Sequence, residues 1–384
     1  MLERQAGRDL EQGVELGGIL VLPVVTARAT YDSNVFAAPD GQDDAIGTLA
    51  ASVAGVIDGS VVNGRLNADI SRSFYSRFES EGSTQGGASA QGTVQLPSDF
   101  QVTSLLSYEH RIEPRTSSGA PILAGRPVRY DAGIADVDLS WQGPLLRATI
   151  GGRVARFDYD GSGLGSTSFD RRVRDYTYTE VRGRLDYAID SERQVFVTID
   201  RHAGNYRLPD PGTGLNRDSD GWKAVAGLLS TITPLLRGWV SVGVLHESSD
   251  SAVVRPVTTL ALNAALDFLA TPLTTVHLDA SRRLENSASL DASGYIASHL
   301  LMRVDHEFSP NTLADIGLTY DGADFRTTDR NDRLIGVEAG VRHQWTAALS
   351  TQLRGTYQNR SSDGSDRVFD FDRATASISV SHQF

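Results

Sequence analysis

The hydrophobic pattern of this chain has a period of two along most of its length. The segment 371–384, FDRATASISVSHQF, shows it most cleanly. Phe384, His382, Val380, Ile378, Ala376 and Ala374 fall on one side, and Gln383, Ser381, Ser379, Ser377 and Thr375 on the other. Successive side chains of a strand point to opposite faces, so this alternation predicts a strand with one apolar and one polar face. In 334–345, Ile335, Val337, Ala339, Val341, His343 and Trp345 oppose Gly336, Glu338, Gly340, Arg342 and Gln344. In 295–308, Ile296, Leu300, Met302, Val304 and Phe308 oppose His299, Arg303, Asp305 and Glu307. Val181, Leu185, Tyr187 and Ile189 likewise oppose Arg182, Arg184 and Asp186. Val276, Leu278 and Ala280 oppose His277, Asp279, Arg283 and Glu285.

The connections come in two kinds. Short turns fall at 58–60, 97–99, 142–144, 190–192, 233–235, 271–273, 309–311 and 346–348, most with the Pro, Gly, Asn, Asp or Ser that tight turns need. Longer connections lie around 34–44, 79–86, 113–127, 160–172, 205–220, 247–252, 285–293, 324–333 and 359–366. The two kinds alternate without exception. A soluble meander gives no reason for that, whereas an outer-membrane barrel has short periplasmic turns and longer extracellular loops. Eight short and nine long connections predict 18 antiparallel strands, an even number that places both termini on the periplasmic side. Residues 17–384 then form one transmembrane up-and-down β-barrel of roughly 20 residues per strand plus connection, and 1–16 a polar periplasmic tail.

Charge at every second position decides which face meets lipid. An Arg or Lys at the bilayer midplane of a barrel's outer face costs about 2–4 kcal/mol. The charged face must therefore line the interior. Its predicted members are Asp136, Asp138, Arg147, Arg153, Glu180, Arg182, Arg184, Asp186, Asp279, Arg283, Arg303, Asp305, Glu307, Asp315, Glu338, Arg342 and Arg354. Aromatic residues cluster at strand ends. Trp141, Trp239, Trp345, Tyr187, Phe308 and Phe384 lie by short turns; Tyr108, Tyr130, Tyr206, Tyr295, Tyr320 and Tyr357 lie toward the long connections. This predicts two interfacial belts.

Composition narrows the class further. No apolar run approaches the ~18–20 residues of a spanning helix, so any span must be β. The net charge of −12 argues against a nucleic-acid partner. The absence of cysteine removes disulfides, thiolate metal sites and Cys nucleophiles. Lys223 is the single lysine among many arginines. No secretory signal peptide is visible at Met1-Leu2-Glu3-Arg4, so export requires a mature or shortened start.

The terminal strand, with Phe384, Val380 and Ile378 on one face, resembles the sorting signal that the barrel-assembly machinery reads. Leu22-Pro23-Val24-Val25 followed by Tyr31-Asp32-Ser33-Asn34-Val35-Phe36 resembles the opening of an outer-membrane β-barrel porin family of proteobacteria. Later hairpins are similar too: Asn216-Arg217-Asp218-Ser219-Asp220-Gly221-Trp222, Thr271-Pro272-Leu273-Thr274-Thr275 and Asp305-His306-Glu307-Phe308-Ser309-Pro310-Asn311. The resemblance implies a barrel in a Gram-negative outer membrane, often encoded beside exopolysaccharide or capsule genes, with a porin or export role. It brings no catalytic residues or cofactor. The expected function is a passive conduit, first for a secreted polysaccharide and otherwise for small solutes; a closed-lumen surface adhesin is the third alternative. The expected partners are lipid, lipopolysaccharide, the assembly machinery and a periplasmic polysaccharide-export protein.

Three other chemistries bear on the reading. Asn216, Asp218 and Asp220, followed by Gly221, match the first half of a calcium loop, but Gly227 stands where the closing glutamate belongs. Arg171, Arg172 and Arg174 form a basic rim that suits lipopolysaccharide phosphates. A hydrolase is not expected. In Asp305-His306 and Arg201-His202 the neighbours point to opposite faces, and His202, His277 and His299 lack a matched Ser.

Overall fold

The computed structural model describes residues 13–118, 126–160, 171–209, 214, 216–251, 254–285, 294–326, 328–364 and 370–384. A short strand β1 (Val14–Leu16) precedes β2 (Ile19–Asp32), β3 (Asp44–Asp58), β4 (Val62–Tyr75), β5 (Ser83–Gln95), β6 (Phe100–Ile112), β7 (Arg129–Gln142), β8 (Leu146–Tyr159), β9 (Tyr176–Ala188) and β10 (Arg193–Tyr206). There follow β11 (Ser219–Thr233), β12 (Leu236–Ser249), β13 (Val257–Thr271), β14 (Thr274–Glu285), β15 (Tyr295–Ser309), β16 (Thr312–Phe325), β17 (Asn331–Gln344), β18 (Leu349–Asp363) and β19 (Phe371–Gln383). Each strand pairs antiparallel with the next, and β19 returns to pair with β2. The sheet is thus a closed 18-strand cylinder with one added strand, and closure leaves none of the 18 as an edge strand. All eight short turns join strands as the spacing predicts.

The seam is held by more than the ladder. Arg373 donates to Asp32 at 2.5 Å, and the Asn34 amide donates to the Asp372 carbonyl at 2.9 Å. Thr26 and Ser381 hydroxyls meet at 2.8 Å. The family-like stretch around Asp32 and Asn34 is therefore part of what closes the cylinder.

Ion pairs identify the inside. Arg182 on β9 reaches Asp136 on β7, His202 on β10 reaches Glu247 on β12, and Arg354 on β18 reaches Asp315 on β16. Each pair skips a strand, which is possible only on the concave face. The opposite register positions carry exposed Leu49, Ile150, Val181, Ile199, Val242, Ile316 and Ile378. Apolar outward and polar inward is the arrangement a lipid-embedded barrel requires.

Three features depart from the sequence expectations. Val14–Leu16 is not tail: Gly17 and Gly18, both at positive φ, make the two-residue turn that pairs β1 with the start of β2. Residues 1–12 lie outside the described residues. Trp239 does not join an outer belt, because it pairs with Leu229 and Ala265 on the register that carries Glu247 inward. Of the six tyrosines assigned to the other belt, Tyr108, Tyr320 and Tyr357 face outward, whereas Tyr130, Tyr206 and Tyr295 face the interior. A strand-end position does not fix the face; only the register does.

Candidate functional site

The interior wall has two sectors. From β19 through β6 it presents mainly hydroxyl and amide groups. Thr48 meets Ser73 at 3.0 Å, Asn67 reaches Ser89 at 3.4 Å, and Thr93 meets Thr103 at 3.3 Å. From β7 through β18 it is dense in charge.

Every residue that the alternation assigned to the interior lies on that register. Arg182 is one hub. It bonds Asp136, Asp138 (2.8 Å) and Glu180 (3.3 Å) at once. A second ribbon crosses β13 to β18. Asp267 contacts His277 (2.6 Å), which approaches Asp305 (3.4 Å); Asp305 accepts from Arg303 (2.7 Å). Arg303 lies 3.8 Å from Asp315, and Arg354 ties Asp315 (3.2 Å) to Glu338 (2.9 Å). Arg184 holds Asp186 at 2.7 Å and Arg283 holds Glu285 at 2.6 Å. Among the described residues Arg147 donates to the Ser140 hydroxyl, and Arg342 donates to Gln344. One carboxylate oxygen of Glu307 is buried without a partner, and Asp279 has no ion pair among the described residues. Mixed signs at close range screen each other, so no uniform field fills the channel.

A third cluster was only half legible. His202 sits between Asp200 (3.0 Å) and Glu247 (2.8 Å), and Lys223 holds the other oxygen of Asp200 at 3.0 Å. The alternation placed His202 inside. Asp200, Lys223 and Glu247 carry the same period-two signal on β10, β11 and β12, and counting those strands charge by charge finds them.

The long-loop rim is bridged. Residues 113–118 leave β6 and cross toward β18 and β17, six and seven strands away along the wall. Glu113 takes both guanidinium nitrogens of Arg174, at 2.8 and 3.0 Å. Arg115 donates to Glu81 at 2.7 Å and lies over the Phe36 ring. The Thr116 carbonyl accepts from Arg360, and the Ser118 carbonyl accepts from Arg330 at 3.1 Å. Arg330 is itself paired with the buried Asp332 at 2.5 Å. Arg326 donates to the Arg255 carbonyl nearby, where burial holds its guanidinium below its ordinary pKa. Apolar clusters sit at the same end: Tyr295 with Ala323 and Phe325, and Ala37 with Leu334 and Phe371.

Two candidate stretches are engaged within the chain itself. Arg174 is buried against Glu113 and stacked over Tyr159, so it offers nothing to an external phosphate. The calcium-like stretch is an Asx turn. The Asn216 side-chain oxygen accepts from the Asp218 backbone N–H, Asp218 accepts from the Tyr206 backbone N–H at 2.6 Å, and Asp220 pairs with Arg201. Its oxygens are engaged by the chain itself. Among the described residues no group of three or more acidic or histidine side chains converges as metal ligands.

These features define a class: a porin-like transmembrane β-barrel of the outer-membrane type. The chain belongs to the family described as "Putative beta-barrel porin 2", whose model matches residues 11–384. Among solved structures the fold is similar to the FrpB iron transporter of Neisseria meningitidis, with a TM-score of 0.50 and 9% identity over 94% of this chain. The chain spans 65% of that transporter's length. It is also similar to OccK2 (OpdF) of Pseudomonas aeruginosa, with a TM-score of 0.50 and 12% identity over 95% of this chain and 98% of that one. At such identity the likeness is one of fold alone. No curated protein matches the chain.

Proposed function

We propose that the protein is a passive conduit for small hydrophilic solutes across the outer membrane. In this arrangement the long-loop rim faces outward and both termini lie in the periplasm. The observation that carries the reading is the closed 18-strand wall with apolar residues outside and ion pairs inside. Eighteen strands enclose an aqueous space wider than side chains can fill. The charged sector orders water and ions along one side, and mixed-sign walls tune selectivity rather than block passage. The bridge at 113–118 narrows one mouth, which supports small solutes over wide polymers. The wall performs no chemistry on its cargo, in keeping with a non-enzymatic role.

A second reading is a route for secreted polysaccharide. The hydroxyl and amide sector from β19 to β6 supports it, since such groups exchange hydrogen bonds with sugars without trapping charge. In this reading a periplasmic export protein docks at the short-turn rim. Lipid, lipopolysaccharide and the barrel-assembly machinery, reading Phe384, Val380 and Ile378, are proposed partners in either case.

The test is planar-bilayer recording on the refolded full chain. Stepwise currents in potassium chloride are the expected result. Repeated insertion without current overturns the open conduit and favours a closed structural barrel. Deletion of the gene is expected to leave polysaccharide secretion intact; loss of secretion would move the assignment to the second reading.

A further inference from the structure

One interior cavity, about 490 Å³, lies in the wall between β8 and β14 near the long-loop rim. Three carboxylates line it, and besides Arg153 three inward-facing cations, Arg174, Lys223 and Arg283. Those three cations are already held by Glu113, Asp200 and Glu285.

All three carboxylates are already engaged. Glu180 accepts from Arg182 (3.3 Å) and from the Tyr178 hydroxyl (2.7 Å). Glu247 is held by His202 at 2.8 Å. Glu285 accepts from Arg283 at 2.8 Å and from the Tyr295 hydroxyl at 2.5 Å.

Arg153 is the opposite case. Its cross-strand neighbours are Asp136 and Glu180, one on each side. Both turn instead to Arg182. Arg153 makes no ion pair among the described residues, and its Nε is buried with no hydrogen-bond partner. A buried, unpaired donor on a charged group costs free energy until something accepts from it. Phe157, Tyr176 and Tyr206, which also line the cavity, stack on one another at 4.7 and 5.3 Å.

We infer that this cavity binds a small organic carboxylate, with Arg153 as its anchoring cation. A carboxylate accepts from a guanidinium through two parallel bonds, and it fits a site with one unpaired guanidinium and no free acceptor charge. The inference rests on the proposed conduit, since the solute must reach the interior, but the site is tested apart from conduction.

The measurement is calorimetric titration of the full chain, refolded in detergent, with sodium benzoate, sodium galacturonate and neutral galactose. At least one carboxylate is expected to bind, and galactose to bind at least tenfold more weakly. Binding of benzoate alone assigns an apolar body, and binding of galacturonate alone a sugar. Arg153→Gln is expected to weaken carboxylate binding tenfold or more, the usual scale for losing a charged hydrogen bond. Arg153→Lys, which keeps the charge, is expected to recover part of it. Equal affinity in wild type and Arg153→Gln, no carboxylate binding to wild type, or galactose binding as tightly as galacturonate would each overturn the site. Arg153-dependent binding in a barrel that passes no current would defeat the conduit and leave the site standing; current with Arg153-independent binding would do the reverse.

Discussion

Leu49→Arg is expected to destabilise the barrel by about 2–4 kcal/mol in phospholipid vesicles, while Ser52→Arg changes stability by less than about 1 kcal/mol. The two positions lie three residues apart near the middle of β3. Leu49 is 57% exposed on the outer register, where a guanidinium must either leave water or drag water into the hydrocarbon. Ser52 is on the inner register, beside Asp69 on β4, so an arginine there meets water and a carboxylate. A water-bathed sandwich would tolerate both changes about equally. Urea unfolding from vesicles reads the difference directly. Equal stability of the two variants would remove lipid from the outer face.

That contrast uses only the register, and the register is what the sequence made plain. The alternation along β15, β17 and β19 and the eight short turns together specify strand number, order and face. They do so because each signal is local and repeats. The bridge at 113–118 has no such signal. Its contacts join Glu113 to Arg174, Arg115 to Glu81 and Thr116 to Arg360, residues 34 to 244 positions apart. No window of sequence contains both partners. The same reason explains the misplaced rim arginine Arg174. Trp239 was misassigned differently: its nearness to a turn is real, but depth along a strand says nothing about face. The Asn216, Asp218 and Asp220 spacing suits a calcium loop and an Asx turn equally, and only the hydrogen bonds separate them. The cavity at Arg153 was legible as an interior arginine but not as an unpaired one, since Asp136 and Glu180 flank it in register and choose Arg182 instead.

Arg330→Ala is expected to release the mouth. Arg330 and Asp332 are 4% and 1% exposed and bond through two nitrogens. Removing one member of a buried pair strands the other charge and costs about 3–5 kcal/mol. Asp332 would keep only the Ser362 hydroxyl at 2.8 Å among its described partners. The Ser118 carbonyl would lose its donor at the same time. The cylinder itself should survive, because its ladder does not involve Arg330. The cost therefore appears as local opening of 113–118, where Arg115 is a trypsin site. Limited trypsin digestion of the refolded protein is expected to cut there at least tenfold faster than in wild type, with the strands still protected. An unchanged cleavage rate would mean that the bridge does not depend on this pair.

The absence of cysteine from the chain allows one decisive measurement. Single cysteines placed along β3 and β19 in vesicles are exposed to a water-soluble, membrane-impermeant maleimide. Cysteines at Thr48, Ser52, Ser377 and Ser381 are expected to label, and those at Leu49, Val53, Ile378 and Val380 to stay unlabelled until the lipid is dissolved. Labelling that ignores this two-residue period, or that reaches both faces alike, would contradict a cylinder with water inside and lipid outside.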